Sequence, residues 1–330
     1  MSASERLDSG ESYHPRRSHD RTHRGLEISH RMQDSHSAHI WATAGRRARL
    51  YLVTISVPLT ASETQMRVSG FIVLLTVFLA PVVVNADTGF LDRRVTAEGS
   101  VYRYQVYVPA SYAASRQWPM IVYLHGNGRQ GSDGVMETQG GMGDMVRLHP
   151  DAVLAIVVFP QAVRGRFWEQ PAMQMLVMAE LAATEKEFRI DPAREYLTGF
   201  SMGAAGAYRL AYKWPERFAA VVAVAGTIQP VPPLGGADRP DIDRRANPFT
   251  AEADPFMALS TRIKHLPIWI FHGDSDAVVP VEQSRRLVTA LKAVGADVRY
   301  TEMPGTGHVD GAAKTFGNVA MIRWLLAQHR

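Results

Sequence analysis

Glu195-Tyr-Leu-Thr-Gly-Phe-Ser-Met-Gly-Ala-Ala-Gly-Ala-Tyr208 decides how this chain is read. Tyr196 to Thr198 predicts a short strand, and the small and aromatic residues from Met202 to Tyr212 predict a helix, with a sharp turn between them. Gly199, Ser201 and Gly203 form G-x-S-x-G, in which both glycines remove Cβ atoms where the strand meets the helix. The serine hydroxyl is then presented at the carboxyl end of a sheet. It also sits at the amino end of a helix, where free N–H groups and the dipole favour a developing negative charge. Ser201 is therefore a candidate nucleophile, and the rest of the chain must supply a base, an acid and two N–H donors.

On the amino-terminal side, alternation over 101–108 predicts a strand at a sheet edge, and 119–124 is a compact apolar strand. The nearly continuous apolar run at 152–159 predicts a strand buried on both faces. A glycine-rich loop spans 129–143 and leads into a short helix ending near His149; 173–188 shows apolar residues at helical spacing. Further strands are predicted at 218–224, 267–272 and 298–303, with helices at 281–294 and 316–329. Short apolar strands alternating with helices predict an α/β fold, a doubly wound, mostly parallel sheet with helices on both faces. One region breaks the rhythm. Residues 227–266 are long and irregular, with Pro230, Pro232, Pro233, Pro240 and Pro248, and read as an insert forming either a small cap over the site or a solvent-exposed excursion.

The chain has 330 residues, 46% of them apolar, enough for a sizeable buried core. Its net charge of +4 is mostly an amino-terminal property: residues 1–65 carry nine Arg against seven acids, whereas 87–330 carry 26 basic and 25 acidic residues. No Lys/Arg patch interleaved with aromatics occurs, which argues against a nucleic-acid partner. The absence of cysteine excludes disulfides, a thiol nucleophile and Cys-based zinc sites. Met66-Arg-Val-Ser-Gly70, an apolar run at 71–84 broken by Pro81, and Val84-Asn-Ala86 have the layout of a signal peptide cleaved after Ala86. The run is shorter than the roughly 20 apolar residues that cross a bilayer, so no stable membrane span is expected after cleavage, although an uncleaved anchor is the alternative. The chain is thus expected to be secreted or periplasmic. Residues 1–65 then precede the signal at 66–86 and are read as a start-site artefact or a disordered extension, its six histidines scattered rather than spaced as ligands.

A serine hydroxyl needs a base, and the base needs a third group to fix its tautomer. In an open α/β sheet both should lie in loops past the carboxyl ends of strands. His308, in Pro304-Gly-Thr-Gly-His308 after the last strand, is the candidate base; His125 and His272 begin His-Gly pairs, where histidine braces a loop. For the acid, Asp274 and Asp276 compete in His272-Gly-Asp-Ser-Asp-Ala-Val-Val-Pro280. Asp276 lies further into the loop and can reach the His308 loop, while Asp274 is placed to hold the turn. The oxyanion donors are expected from the backbone N–H of Met202, just after the nucleophile, and of Asn127 in His125-Gly-Asn-Gly128. Trp168, in Arg166-Phe-Trp-Glu169, is either a substrate-stacking residue or a packing residue.

Taken together, Leu124-His-Gly-Asn-Gly128, Tyr196 to Gly203, Trp214-Pro-Glu-Arg-Phe-Ala-Ala220, Phe271 to Pro280 and Pro304 to His308 resemble the secreted α/β-hydrolases of the predicted-peptidase and phospholipase/carboxylesterase-like family. That family is related to polyhydroxybutyrate depolymerase-type and feruloyl-esterase-type enzymes. The resemblance covers roughly residues 95 to 330 and implies the α/β-hydrolase fold over 87–330, with the chain order serine, aspartate, histidine. It implies a triad of Ser201, Asp276 and His308, a carboxylic-ester substrate that is a small molecule or a polymer, and no metal or organic cofactor. Where the family carries a further glycine, this chain has Ala204, which implies slightly looser packing of the elbow helix. A secreted serine esterase is the leading expectation. A peptidase of the same fold would need an acidic grip on a peptide amino terminus, such as a paired Glu motif, which the sequence lacks. A silent binding protein on this scaffold would have no need of the intact glycines and triad.

Overall fold

The computed structural model describes residues 87–229, 249 and 251–330. The expected extension at 1–65, the expected signal peptide at 66–86 and half of the insert expected as a cap or an exposed excursion (230–248 and 250) lie outside the described residues. Eight strands form one sheet: β1 (Gly89–Ala97), β2 (Ser100–Val108), β3 (Trp118–Leu124), β4 (Ile156–Phe159), β5 (Ile190–Phe200), β6 (Ala220–Val224), β7 (Ile268–Gly273) and β8 (Val298–Met303). Their order is β1-β2-β4-β3-β5-β6-β7-β8. β1 and β2 pair antiparallel, β2 pairs antiparallel with β4, and every later pairing is parallel.

The parallel strands β3, β4 and β6 are buried along their whole length, which explains their unbroken apolar sequences. Side-chain alternation divides the core in two. On one face Met120, Val122, Ile156, Val158, Leu197, Val221 and Ile270 meet α2 (Pro171–Glu187), α3 (Met202–Lys213), α4 (Pro255–Ile263) and α5 (Glu282–Ala293). On the other, Ile121, Tyr123, Val157, Tyr196, Val222 and Phe271 meet α1 (Met142–Leu148), α6 (His308–Phe316) and α7 (Val319–Leu326). Among the described residues no helix is long and apolar enough to cross a membrane.

Four elements differ from the sequence expectation. β1 is an unanticipated outer strand, so 101–108 is not the edge. Its Asp92 pairs with Arg103 at 3.1 Å and its Arg93 with Glu187 at 2.5 Å, charges that suit an exposed sheet margin. The run at 152–159 is a strand only from Ile156, because Pro150–Ala152 form a 3-10 turn. The insert at 227–266 ends in α4, whose Asp254 caps the Phe256 and Met257 N–H groups at 3.0 and 3.1 Å with Pro255 in the first turn. Phe256, Leu259 and Ile263 bury this helix in the body, so that part of the insert is no cap. Finally, the helix predicted at 316–329 begins only at Val319, where Asn318 accepts the Ala320 N–H at 2.9 Å, and an unanticipated helix, α6, fills 308–316 before Gly317-Asn318.

Candidate active site

β5 ends at Phe200, α3 begins at Met202, and the single residue between them turns the chain. Ser201 has φ 56° and ψ −118°, a conformation that costs a non-glycine residue about 1–3 kcal/mol and persists only where its surroundings enforce it. They do so closely. The Ser201 N–H donates to the Val224 carbonyl at 2.8 Å. A Cβ on Gly203 would stand 1.8 Å from the Leu124 carbonyl oxygen, and one on Gly199 would stand 2.4 Å from the Gly203 carbonyl. Ala204 is fully buried against Gly226, where an added Cβ would lie 2.8 Å from that of Ala204. The elbow helix is therefore seated closely despite its missing glycine, in contrast to the looser packing expected.

Ser201, His308 and Asp276 are brought together from three separate strand ends. His308 Nε2 lies 2.9 Å from Ser201 Oγ, and His308 Nδ1 lies 2.6 Å from Asp276 Oδ2. His308 closes the loop in which the sequence placed it and is itself the first residue of α6, with Gly307 as its extended N-cap. The Phe200 ring packs on its imidazole at 4.7 Å between centroids, a contact that sequence reading missed. Asp276 accepts the Val278 and Val279 N–H groups at 2.8 Å each. Burial pushes its carboxyl up, but hydrogen bonds from His272, His308 and Val279 outweigh it and hold Asp276 below the ordinary carboxylate range. Asp274 instead accepts the Gly305 N–H at 2.7 Å and so ties its loop to the one before His308. With a carboxylate on Nδ1, the imidazole presents an unprotonated Nε2 to the serine hydroxyl and can take its proton.

Met202 opens α3, so its N–H has no intrahelical acceptor. Asn127 opens the 3-10 turn Asn127–Arg129 at the end of β3, which leaves its N–H in the corresponding position. Gln130 Nε2 contacts Met202 Sδ at 3.8 Å and donates to the Arg166 carbonyl, linking the two segments. His125 braces them: its Nδ1 donates to the Gly126 carbonyl at 2.7 Å and its Nε2 accepts the Ala162 N–H at 3.0 Å. Trp168 belongs to this bracing and not to a substrate wall. It is 1% exposed, its Nε1 donates to the His125 carbonyl at 3.0 Å, and it packs over Gly206.

Burial lowers His125 to about 4. A depressed histidine contributes stability in full above its ordinary value near 6.5, and that stability is lost as the pH falls towards 4; the shift corresponds to about 3 kcal/mol. Buried Glu137 and Glu195, both raised to about 7, act in the opposite sense, losing their contribution as the pH rises above 4.5. We expect denaturant unfolding of the wild type and of His125→Gln, which bonds but does not titrate, to converge in stability as the pH falls from 6.5 to about 4. A constant difference across that window would contradict the assignment.

A mostly parallel sheet that raises a serine on a strained turn, with histidine and aspartate loops at neighbouring strand ends, is that of an α/β-hydrolase. The Esterase family model matches residues 96–309, and the chain belongs to that family. A thermostable esterase of known structure is 28% identical with a TM-score of 0.60, covering 73% of this chain and 63% of its own. Esterase LipC of Mycobacterium tuberculosis is 38% identical over 81 residues, 22% of this chain and 17% of LipC. A ferulic acid esterase structure, 18% identical with a TM-score of 0.55, covers 72% of this chain and 98% of its own and shares the fold. The chain thus spans less than two thirds of the first two proteins' lengths.

Proposed function

We propose that this protein hydrolyses carboxylic esters through an acyl-enzyme on Ser201, with His308 as base and Asp276 as its partner. The observation that carries this reading is the continuous contact from Asp276 Oδ2 through His308 to Ser201 Oγ at the amino end of α3. His308 takes the hydroxyl proton as Oγ attacks the ester carbonyl carbon, and the oxyanion forms against the Met202 and Asn127 N–H groups. The same proton then passes to the leaving alcohol. Water repeats the sequence, giving the acid and free serine. The motif at 66–86 supports the further reading that the enzyme acts after export; its substrate in this reading is a small or polymeric ester.

The test is hydrolysis of p-nitrophenyl acetate and butyrate, methyl ferulate and a peptide p-nitroanilide by the full chain. Ester turnover is expected, falling at least about 1,000-fold in Ser201→Ala. Retained turnover in a folded Ser201→Ala variant would refute the assignment. Anilide turnover without preference for esters would favour a peptidase.

A further inference from the structure

The contact chain does not stop at Asp276. Behind it, His272 of β7 is fully buried, with both ring nitrogens engaged. Nε2 lies 3.0 Å from the Val279 carbonyl oxygen, which can only accept, so Nε2 carries the proton. The same nitrogen is 3.3 Å from Asp276 Oδ2, the oxygen that also receives His308. Nδ1 lies 2.7 Å from the hydroxyl of Ser284, a buried residue of α5, and in the neutral ring it accepts that proton.

We propose that Ser284 and His272 are positioning residues for the reaction, a second hydroxyl–imidazole pair acting on Asp276 from the protein interior. This inference rests on the esterase reading above. The Ser284 O–H reinforces the tautomer that the Val279 carbonyl sets and holds the ring in place, and the shared Nε2–H holds Oδ2 in the plane facing His308. The Val278 and Val279 N–H groups hold Oδ1, so donors on both oxygens oppose rotation of the carboxylate. His272 also draws negative charge from the oxygen that stabilises His308 when it becomes an imidazolium.

The other charged groups around this cluster are accounted for. Glu302 of β8 is the register partner of His272, and Arg285 of α5 and Tyr300 engage its carboxylate. Asp274 bonds to Ser275 and Gly305. Asp310 lies in the first turn of α6.

The full chain should be compared with Ser284→Ala, His272→Leu and His272→Gln. Two quantities are read: kcat and KM for p-nitrophenyl butyrate across the pH range, and the low-field proton resonance of the His308–Asp276 hydrogen bond. Ser284→Ala and His272→Leu are expected to lower kcat roughly tenfold with little change in KM, the size of effect found when a group orienting a functional side chain is removed. The acid limb of kcat should move to higher pH, because a carboxylate no longer shared favours the charged imidazole. The resonance should shift with it. His272→Gln, which can donate to Asp276 again, should recover most of the loss. Should His272→Leu fail to fold, Ser284→Ala and His272→Gln still decide. A wild-type pH profile and resonance in Ser284→Ala, whatever its melting temperature, would overturn the inference. The resonance needs no substrate, so failure of the esterase reading in Ser201→Ala is seen separately.

Discussion

Asp276→Asn is expected to lower ester kcat by about 10,000-fold, more than any other conservative change in the site. The carboxylate meets only donors: Val278 and Val279 N–H on Oδ1, and His308 and His272 ring nitrogens on Oδ2. An amide of the same shape must turn its NH₂ towards one of these pairs. Facing His308, it forces Nδ1 to accept, so the ring proton moves to Nε2 and points at Ser201 Oγ. The base is then already protonated where it must take a proton. Facing the Val278 and Val279 amides, it sets its own donors against theirs and loses both hydrogen bonds, which lowers stability by about 1 kcal/mol or more. Single-turnover kinetics with p-nitrophenyl acetate, beside a thermal melt, separate the two outcomes. Activity within tenfold of wild type would mean that Asp276 does not set the tautomer.

Gly203→Ala should be the most disruptive single methyl in the described chain, with a loss of about 4 kcal/mol or more. Its Cβ would stand 1.8 Å from the Leu124 oxygen, 2.4 Å from the Leu124 carbonyl carbon and 2.8 Å from the His125 oxygen. All three are backbone atoms, and no rotamer change can move them. Relief needs α3 to lift off β3, which separates Ser201 from the His125 loop. Gly126→Ala is the matched control: it has φ −75°, and its nearest neighbour is the Phe200 ring at 3.2 Å, so a small ring shift suffices. We expect urea unfolding to show Gly126→Ala within about 1 kcal/mol of wild type and Gly203→Ala unfolded or insoluble. Similar midpoints for the two would show that the elbow yields more easily than its geometry implies.

What could be read from sequence follows from burial. Strands covered on both faces, such as β3 and β6, have unbroken apolar sequences, and their ends locate the loops that carry Ser201, Asp276 and His308. β1 escaped because it is only half covered and carries Asp92, Arg93 and Arg94, so it imitates a polar linker. α4 escaped because the prolines at 230–248 ahead of it made the whole insert read as irregular, although Asp254-Pro255 is itself a helix start. His272 was read as a loop brace, but its approach to Asp276, like that of Phe200 to His308, was missed for a different reason. Their contacts to Asp276 and His308 join chain positions in loops from different strand ends, or depend on side-chain direction, and no spacing encodes them. Trp168 shows the converse: an aromatic near a strand end suggested a ligand, yet its N–H is consumed by the His125 carbonyl.

The fit of Ala204 against Gly226 means that one methyl group is shared between two positions remote in sequence. What the elbow requires is a combined volume, and it can be met with the alanine on the helix and the glycine on the strand end. A substitution at either position alters what the other tolerates. Relatives of this chain would therefore be compared more faithfully by the sum of the two side chains than by the residue at either, and a motif confined to 199–204 sees only half of the constraint.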